Sequence, residues 1–357
     1  MPYARDGGRT VSFKLPRWSV LALPVAALLL SAGCGRPDSR PSPEPSVVAS
    51  ADPQRSAGPP VPLAGAKLFV DPAGTAAEQV TAWEQAGRTA EAEKIRRISE
   101  QPTAVWITSP TAEVTAAVDA TLTRAAETGG MPVLVAYHIP GRDCGSFSGG
   151  GAPDGEDYRA WLRNFAAGID GRPVTVIVEP DAVPHSLDDC AGDGERLALL
   201  ADAVTVLKQS GTAQVYLDAG HPRWVRDVSR LAGVLRQAGI EQADGFALNV
   251  SNFIPTPENV DYGRRVSDAL GGRTRFVVDT SRNGAGPAKG TTVDGGPAWC
   301  NPPGRRLGAE PTTSTGLDRV DALLWIKRPG ESDGDCRPGE PPAGQWWTEY
   351  ALQLAGG

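Results

Sequence analysis

Residues 174–183 read VTVIVEPDAV: five β-formers in a row, then an acid, a proline and a second acid. A run without polar alternation suits a strand covered on both faces, as in a parallel sheet packed with helices. Working outward, similar runs recur at Ala104–Ile107, Val133–Tyr137, Gln214–Leu217, Phe246–Val250, Phe276–Val278 and Ala322–Ile326. Amphipathic helical segments lie between them, near Glu113–Thr128, Tyr158–Ile169, Glu195–Gln209, Arg223–Ala238 and Asn259–Leu270. A further helical stretch precedes them at about Ala76–Glu100. Strands alternating with helices imply a parallel α/β fold of about seven core strands, either a barrel or a doubly wound sheet. A Gly/Pro-rich stretch, about Ser281–Asp318, replaces a helix before the last strand.

In such folds the loops at the carboxyl ends of the strands build the site. The run at 133–137 leads into HIPGRDCG and presents Asp143, and the run at 174–178 ends in Glu179-Pro180-Asp181. Asp218 and Asp279 follow the next candidates, and the last strand leads to Lys327, Glu331 and Asp333. Any one acid is more often a solvated side chain or a helix cap. Five strands of seven delivering a carboxylate to one rim point instead to chemistry. A hard-cation site uses such a ring, and so does glycoside hydrolysis by a carboxyl pair. Trp106, Trp224 and Trp299 fall on the same side; singly each reads as core, but together they suit stacking on sugar rings. There is no GxSxG elbow for a serine nucleophile, and no GxGxxG after a strand, so no nucleotide cofactor is expected.

Composition narrows the partners and the compartment. Lys and Arg total 35 against 42 Asp and Glu, a net charge of −7, which argues against a nucleic-acid ligand. Arg5, Arg9, Lys14 and Arg17 precede the uncharged run 19–33, then Cys34. A basic head, a short apolar run and small residues make a secretory signal, and the run falls short of the roughly 20 residues of a membrane span. Ser31-Ala32-Gly33-Cys34 resembles the lipobox of bacterial lipoproteins, although Ser31 stands where an aliphatic residue is usual. Cys34 is then the lipid attachment site; the plainer reading is an ordinary signal with an incidental cysteine. Residues 34–62 are rich in Pro, Ser, Ala and Gly and read as a disordered tether. The expected organisation is a signal peptide over 1–33, a tether over 34–62 and a catalytic domain over 63–357. Four cysteines remain in that domain: Cys144, Cys190, Cys300 and Cys336. An even number in an exported chain favours disulfides over metal ligands, with three connectivities open. No CxxC occurs and His138, His185 and His221 are scattered, so no metal is expected.

The segments YHIPGRDCGSFSGGG, VIVEPDAV, VYLDAGHPRW, ALNVSNF, FVVDTSRNG, WCNPPGR and WIKRPGESDG occur in that order, preceded by LFVDP and QPTAVWI. Together they resemble glycoside hydrolase family 6, the inverting β-1,4-glucanases, over essentially all of residues 67–354. The resemblance implies a distorted, incompletely closed, TIM-like parallel α/β barrel with a substrate cleft across the strand ends. It makes Asp181 the general acid and Asp143 the carboxylate that raises its pKa and relays a proton from the water. Asp333 becomes the proposed general base, with Asp335 a weaker candidate, and Asp218 a supporting carboxylate. Acid and base in an inverting pair stand about 6.5–9.5 Å apart. Tyr137 lies beneath the sugar at the cleavage point, and Ser148, favoured over Ser146, holds the water. Lys327, Glu331, His221 and Asn249 join the substrate-binding set, with Trp106, Trp224 and Trp299 as stacking platforms. The implied disulfides are Cys144–Cys190 and Cys300–Cys336. No separate carbohydrate-binding module is expected, and the short stretch from Cys300 to Trp325 leaves little material to roof a tunnel. The expectation is an exported, lipid-anchored, cofactor-free and monomeric endo-β-1,4-glucanase acting on cellulose or a related β-glucan. The alternatives are a chain-end-acting cellobiohydrolase, a glucan-binding surface lipoprotein without activity, and a metal-dependent hydrolase using the same carboxylates.

Overall fold

Seven strands form one parallel sheet in the order in which the chain makes them: β1 (Val105–Ile107), β2 (Val133–Ala136), β3 (Val174–Val178), β4 (Ala213–Asp218), β5 (Gly245–Leu248), β6 (Arg275–Asp279) and, after the small hairpin of β7 (Thr292–Val293) and β8 (Gly296–Pro297), β9 (Val320–Leu324). The coordinates are a computed structural model that describes residues 61–188, 190 and 194–356. The signal peptide, Cys34 and nearly all of the tether lie outside the described residues. A strand order that never doubles back winds a barrel rather than a doubly wound sheet. The two edges meet at a single parallel bridge, Thr103 to Trp325, where the Ala104 N–H donates to the Trp325 carbonyl at 2.9 Å. The barrel is therefore curled but incompletely closed.

The missing polar alternation has its explanation in two apolar surroundings. Val135, Ile177, Tyr216, Ala247 and Val277 point into the barrel, where Leu63 packs with them. Leu134, Val176, Val178, Leu217 and Phe246 join the larger outer core shared with the helices. Every residue of β2, β3 and β4 is buried as a result.

Helices α3 (Val114–Thr128), α4 (Gly155–Ile169), α6 (Glu195–Gln209), α7 (Val228–Gln237) and α8 (Thr256–Ala269) follow the strands as the sequence implied. The expected single helix near 76–100 is instead two, α1 (Thr75–Gln85) and α2 (Thr89–Ser99), separated where Gly87 turns to φ +72°. Helix α7 begins later than expected because Asp227 caps it, accepting from the Arg230 N–H at 3.0 Å. That leaves Trp224 in a turn at the cleft. Two short helices were not expected: α5 (Ala182–His185) and α9 (Thr348–Ala355). Helix α9 packs Ala351 and Ala355 against Trp83, Ala92 and Ile95 of α1 and α2. Among the described residues, β7 and β8 are the regular structure of the Gly/Pro-rich stretch.

Candidate active site

Backbone strain marks where the chemistry lies. Asp143, Cys144, Glu179, Asp181, Asn249 and Ser251 all have positive φ, between 45° and 71°, and all follow strands β2, β3 or β5 at their carboxyl ends. Such residues cost about 1–3 kcal/mol each unless the surroundings hold them. Buried polar groups do so here. The Glu179 carboxylate accepts from the His138 N–H and the Ile139 N–H at 2.9 and 3.1 Å. The Asp218 carboxylate accepts from the Asp181 N–H at 2.8 Å. Asn249 accepts from the Ile254 N–H at 3.0 Å and donates to the Asp279 carbonyl at 2.7 Å.

Across these strand ends runs a cleft of about 1070 Å³. It brings together Asp143, Asp181 and Asp333, with Tyr137, Ser148, Trp106, Trp224, Trp299, His221, Lys327 and Glu331 on its walls. Asp218 and Asn249 are not on those walls. Both are buried beneath, bracing the loops that carry their neighbours. Asp279 is also turned inward, where it accepts from the backbone of Ser251, Ser281 and Lys327. Of the two candidates before Cys336, Asp333 faces the cleft and Asp335 is exposed to solvent away from it.

Asp181 sits half-buried at the start of α5, and desolvation, together with the Asp218 and Asp143 charges, pushes its carboxyl up to about 8. Burial likewise raises Asp218 and Glu179, each to about 7. Asp143 behaves oppositely. Burial works against its charge, but His185 and two donors from Ser148 outweigh it and hold the carboxyl below its ordinary range. Those donors are the Ser148 N–H at 2.9 Å and hydroxyl at 2.8 Å, and the same hydroxyl lies 3.1 Å from the Tyr137 hydroxyl. Ser146 also lies on the cleft wall, but it donates its N–H to the Asp143 backbone carbonyl at 2.8 Å, whereas the carboxylate is met by Ser148. Two carboxyls in one cleft thus have opposite protonation preferences, the pattern of an acid set beside an anion.

Asp333 is held from three sides. Its Oδ2 accepts from Arg282 Nη1 at 2.9 Å and from the Asn301 N–H at 3.0 Å, and its Oδ1 lies 3.7 Å from Lys327 Nζ. Burial lowers the Lys327 ammonium, although Asp333 opposes the shift. Glu331 pairs with Arg328 at 2.8 Å, and burial raises its carboxyl. His221 is held down to about 4 by burial and by Arg223.

The aromatics line the cleft at separate points. Trp106 stands edge-on to Tyr137 at 5.0 Å, and its indole N–H donates to the Ile326 carbonyl at 2.8 Å. Trp224 donates to Asp188 at 3.3 Å, whereas Trp299 is 44% exposed, resting 5.9 Å from Phe147. Cys144 is bonded to Cys190 and Cys300 to Cys336, so one bridge adjoins Asp143 and the other pins the loop after Asp333. Sequence reading missed Arg142, whose guanidinium lies 4.5 Å over the Tyr137 ring, and Arg282. It also missed His185. Its signal was the spacing Asp181-x-x-x-His185, one helical turn.

The comparisons with known proteins agree with this geometry. The family model described as "Glycosyl hydrolases family 6" matches residues 63–357. Endoglucanase A of Cellulomonas fimi is 44% identical over 298 residues, which cover 83% of this chain and 62% of that protein, so the match spans less than two thirds of the relative. Endoglucanase 1 of Streptomyces halstedii is 40% identical over 318 residues, covering 87% of this chain and 94% of that one. The solved endoglucanase Cel6 of Mycobacterium tuberculosis, in complex with methyl-cellobiosyl-4-deoxy-4-thio-β-D-cellobioside, superposes with a TM-score of 0.76 at 43% identity. That match covers 83% of this chain and 98% of that chain. An incompletely closed barrel, a carboxyl cluster at its strand ends and a family match over 63–357 lead to one assignment: the chain belongs to family 6 of the glycosyl hydrolases.

Proposed function

We propose that this chain hydrolyses internal β-1,4 bonds of cellulose or a related β-glucan with inversion at the anomeric carbon. The observation that carries the reading is the half-buried Asp181 carboxyl on the wall of a tryptophan-lined cleft, where desolvation and the neighbouring Asp218 and Asp143 push it up to about 8. A carboxylic acid protonated at neutral pH can donate to the departing glycosidic oxygen as the bond breaks. Asp143 stays an anion next to it, so the pair does not compete for the same state. Water attacks the anomeric carbon from the opposite face and gives up its proton to a carboxylate, for which we propose Asp333, with Asp143 as the relay. Tyr137 and Ser148 lie beside Asp143, where they would shape the sugar and hold that water. Lys327, Glu331 and His221 offer polar groups to sugar hydroxyls, and Trp106, Trp224 and Trp299 offer faces for sugar rings.

Internal cleavage is favoured over chain-end action by two observations. The relatives at 40–45% identity are named endoglucanases, whereas those named cellobiohydrolases match at 28–32%. The exposed Trp299 also leaves this part of the cleft open to solvent. The basic head, apolar run and lipobox-like SAGC support export and lipid anchoring at Cys34, which would place the enzyme at the cell surface.

The test uses carboxymethylcellulose and mixed-linkage β-glucan, following viscosity and reducing ends beside an Asp181→Ala control. A fast viscosity drop that the control lacks is the expected outcome. Reducing ends without a viscosity drop would mean chain-end cleavage, and binding without hydrolysis would leave a glucan-binding protein. Cys34→Ser in the full chain should release the enzyme from the membrane fraction; retention there would sink the lipid anchor.

A further inference from the structure

His185 is one of the groups that favour the Asp143 anion, but it has no part in the reaction as proposed so far, and it occupies the centre of a charge cluster. Its backbone N–H donates to the Asp181 carbonyl at 2.9 Å, so the single turn of α5 fixes the distance between the two residues. Carboxylates from two different loops face the two ring nitrogens. Nε2 is 3.9 Å from Asp143 Oδ1, and Nδ1 is 3.5 Å from Asp188 Oδ2. Both separations suit an ion pair and are longer than a good hydrogen bond. Trp224 covers the ring from the side at 5.0 Å and ties Asp188 in place through its indole N–H. A packed histidine of no functional weight would need at most one polar partner. This one has an acid at each nitrogen and borders the cleft.

We propose that His185 is a positioning residue: a positive charge clamped between Asp143 and Asp188 that holds Asp143 as an anion beside Asp181. The proposal rests on the glycosidase reading for its catalytic meaning. The charged groups facing the imidazole are Asp143 from the loop after β2, Asp181 at the head of α5, Asp188 just beyond α5, and Arg196 of α6. Burial and Arg196 disfavour the imidazolium; Asp143 and Asp181 favour it and prevail. The consequence is reciprocal. The same charge that is stabilised by the two acids lowers the affinity of each of them for a proton. Without it, Asp143 would take up a proton sooner as pH falls, and Asp181 would give its proton up later as pH rises.

His185→Gln keeps a polar side chain without the charge. In the pH profile of kcat/KM on a soluble β-glucan, both limbs should move to higher pH by about 1 unit, with KM little changed. Limbs that stay at the wild-type pH, with only a lower Tm, would reduce His185 to a packing residue and overturn the proposal. A second measurement does not depend on that variant folding. The sequence holds three histidines, so the His185 ring resonance can be followed by NMR in the intact protein. It should titrate above the usual histidine value of about 6.5 in the wild type and lower in Asp188→Asn. Titration at or below that value in the wild type would refute the clamp. If the wild type cleaves no β-glucan, the glycosidase reading fails by itself, while the histidine titration still decides whether the charge cluster exists.

Discussion

Asp181 depends on its neighbours for the state that makes it useful. An exposed aspartic acid is ionised at neutral pH and has no proton to donate. Burial, with Asp218 below and Asp143 beside it, reverses that preference. Replacing Asp181 by Asn should lower kcat on a glucan by about 10²–10⁴-fold. A β-cellobiosyl fluoride, whose leaving group needs far less protonation, should lose much less. Measuring both rates separates acid catalysis from misfolding, because a damaged cleft would slow the two substrates equally. The residues that carry this chemistry were legible because they sit in short, distinctive segments at strand ends. Glu179, Asp218 and Asn249 were legible as polar residues in the same segments, but not as braces. Whether a carboxylate faces the cleft or a backbone N–H depends on loops that come from other strands.

At the level of elements, the site is a meeting of loops that follow β2, β3 and β9. The loop after β9 touches the loop after β2 at one tight point. Gly334 has φ +147°, and a Cβ there would lie 2.4 Å from Phe147 Cβ. Only glycine lets Asp333 approach the loop that carries Asp143 and Ser148. Gly334→Ala should cost about 1–3 kcal/mol of stability by overpacking and lower kcat by more than it changes KM. A wild-type kcat measured in a less stable Gly334→Ala protein would show that the two loops need not touch for catalysis. The strands and the five major helices were legible from apolar runs and helical periodicity. The break at Gly87 was harder to see, since a lone glycine in a helical pattern is often tolerated. The turn before α7 had a signal in Asp227, a capping residue that periodicity ignores.

The molecule as a whole carries the cost of acids withdrawn from water, Asp218 and Glu179 fully and Asp181 in part. Asp181, Asp218 and Glu179 all have carboxyls raised to about 7 or 8, far above their values in an unfolded chain. Between pH 4 and those values the folded state binds more protons than the unfolded one, so stability falls as pH rises. The Tm should therefore be higher at pH 5 than at pH 8, and calorimetry across that range checks it. Substituting Asn at Asp218 should flatten the slope, provided the Asp181 loop stays in place. A Tm that rises from pH 5 to pH 8 would mean that these acids ionise freely in the folded protein.

The amino-acid sequence by itself determined the parallel α/β class, the position of the strand ends and the residue types available there. Those features are local: a run of β-formers and the acid that follows it lie within a few residues, and side-chain burial imposes their pattern directly. Strand and helix patterning alone left a barrel and a doubly wound sheet both open, and only the family resemblance of the ordered segments implied an incompletely closed barrel and a role for each acid. Only the tertiary structure decided that the edges meet at one bridge, Thr103 to Trp325. Only there do Asp143 and Asp188 come to opposite sides of His185, and Arg282 to Asp333. The physical reason is the same in each case. Burial and charge set the state of a carboxyl, and both are fixed by groups that the chain brings together from far apart, 51 residues for Arg282 and Asp333 and 105 for Tyr216 and Asp321.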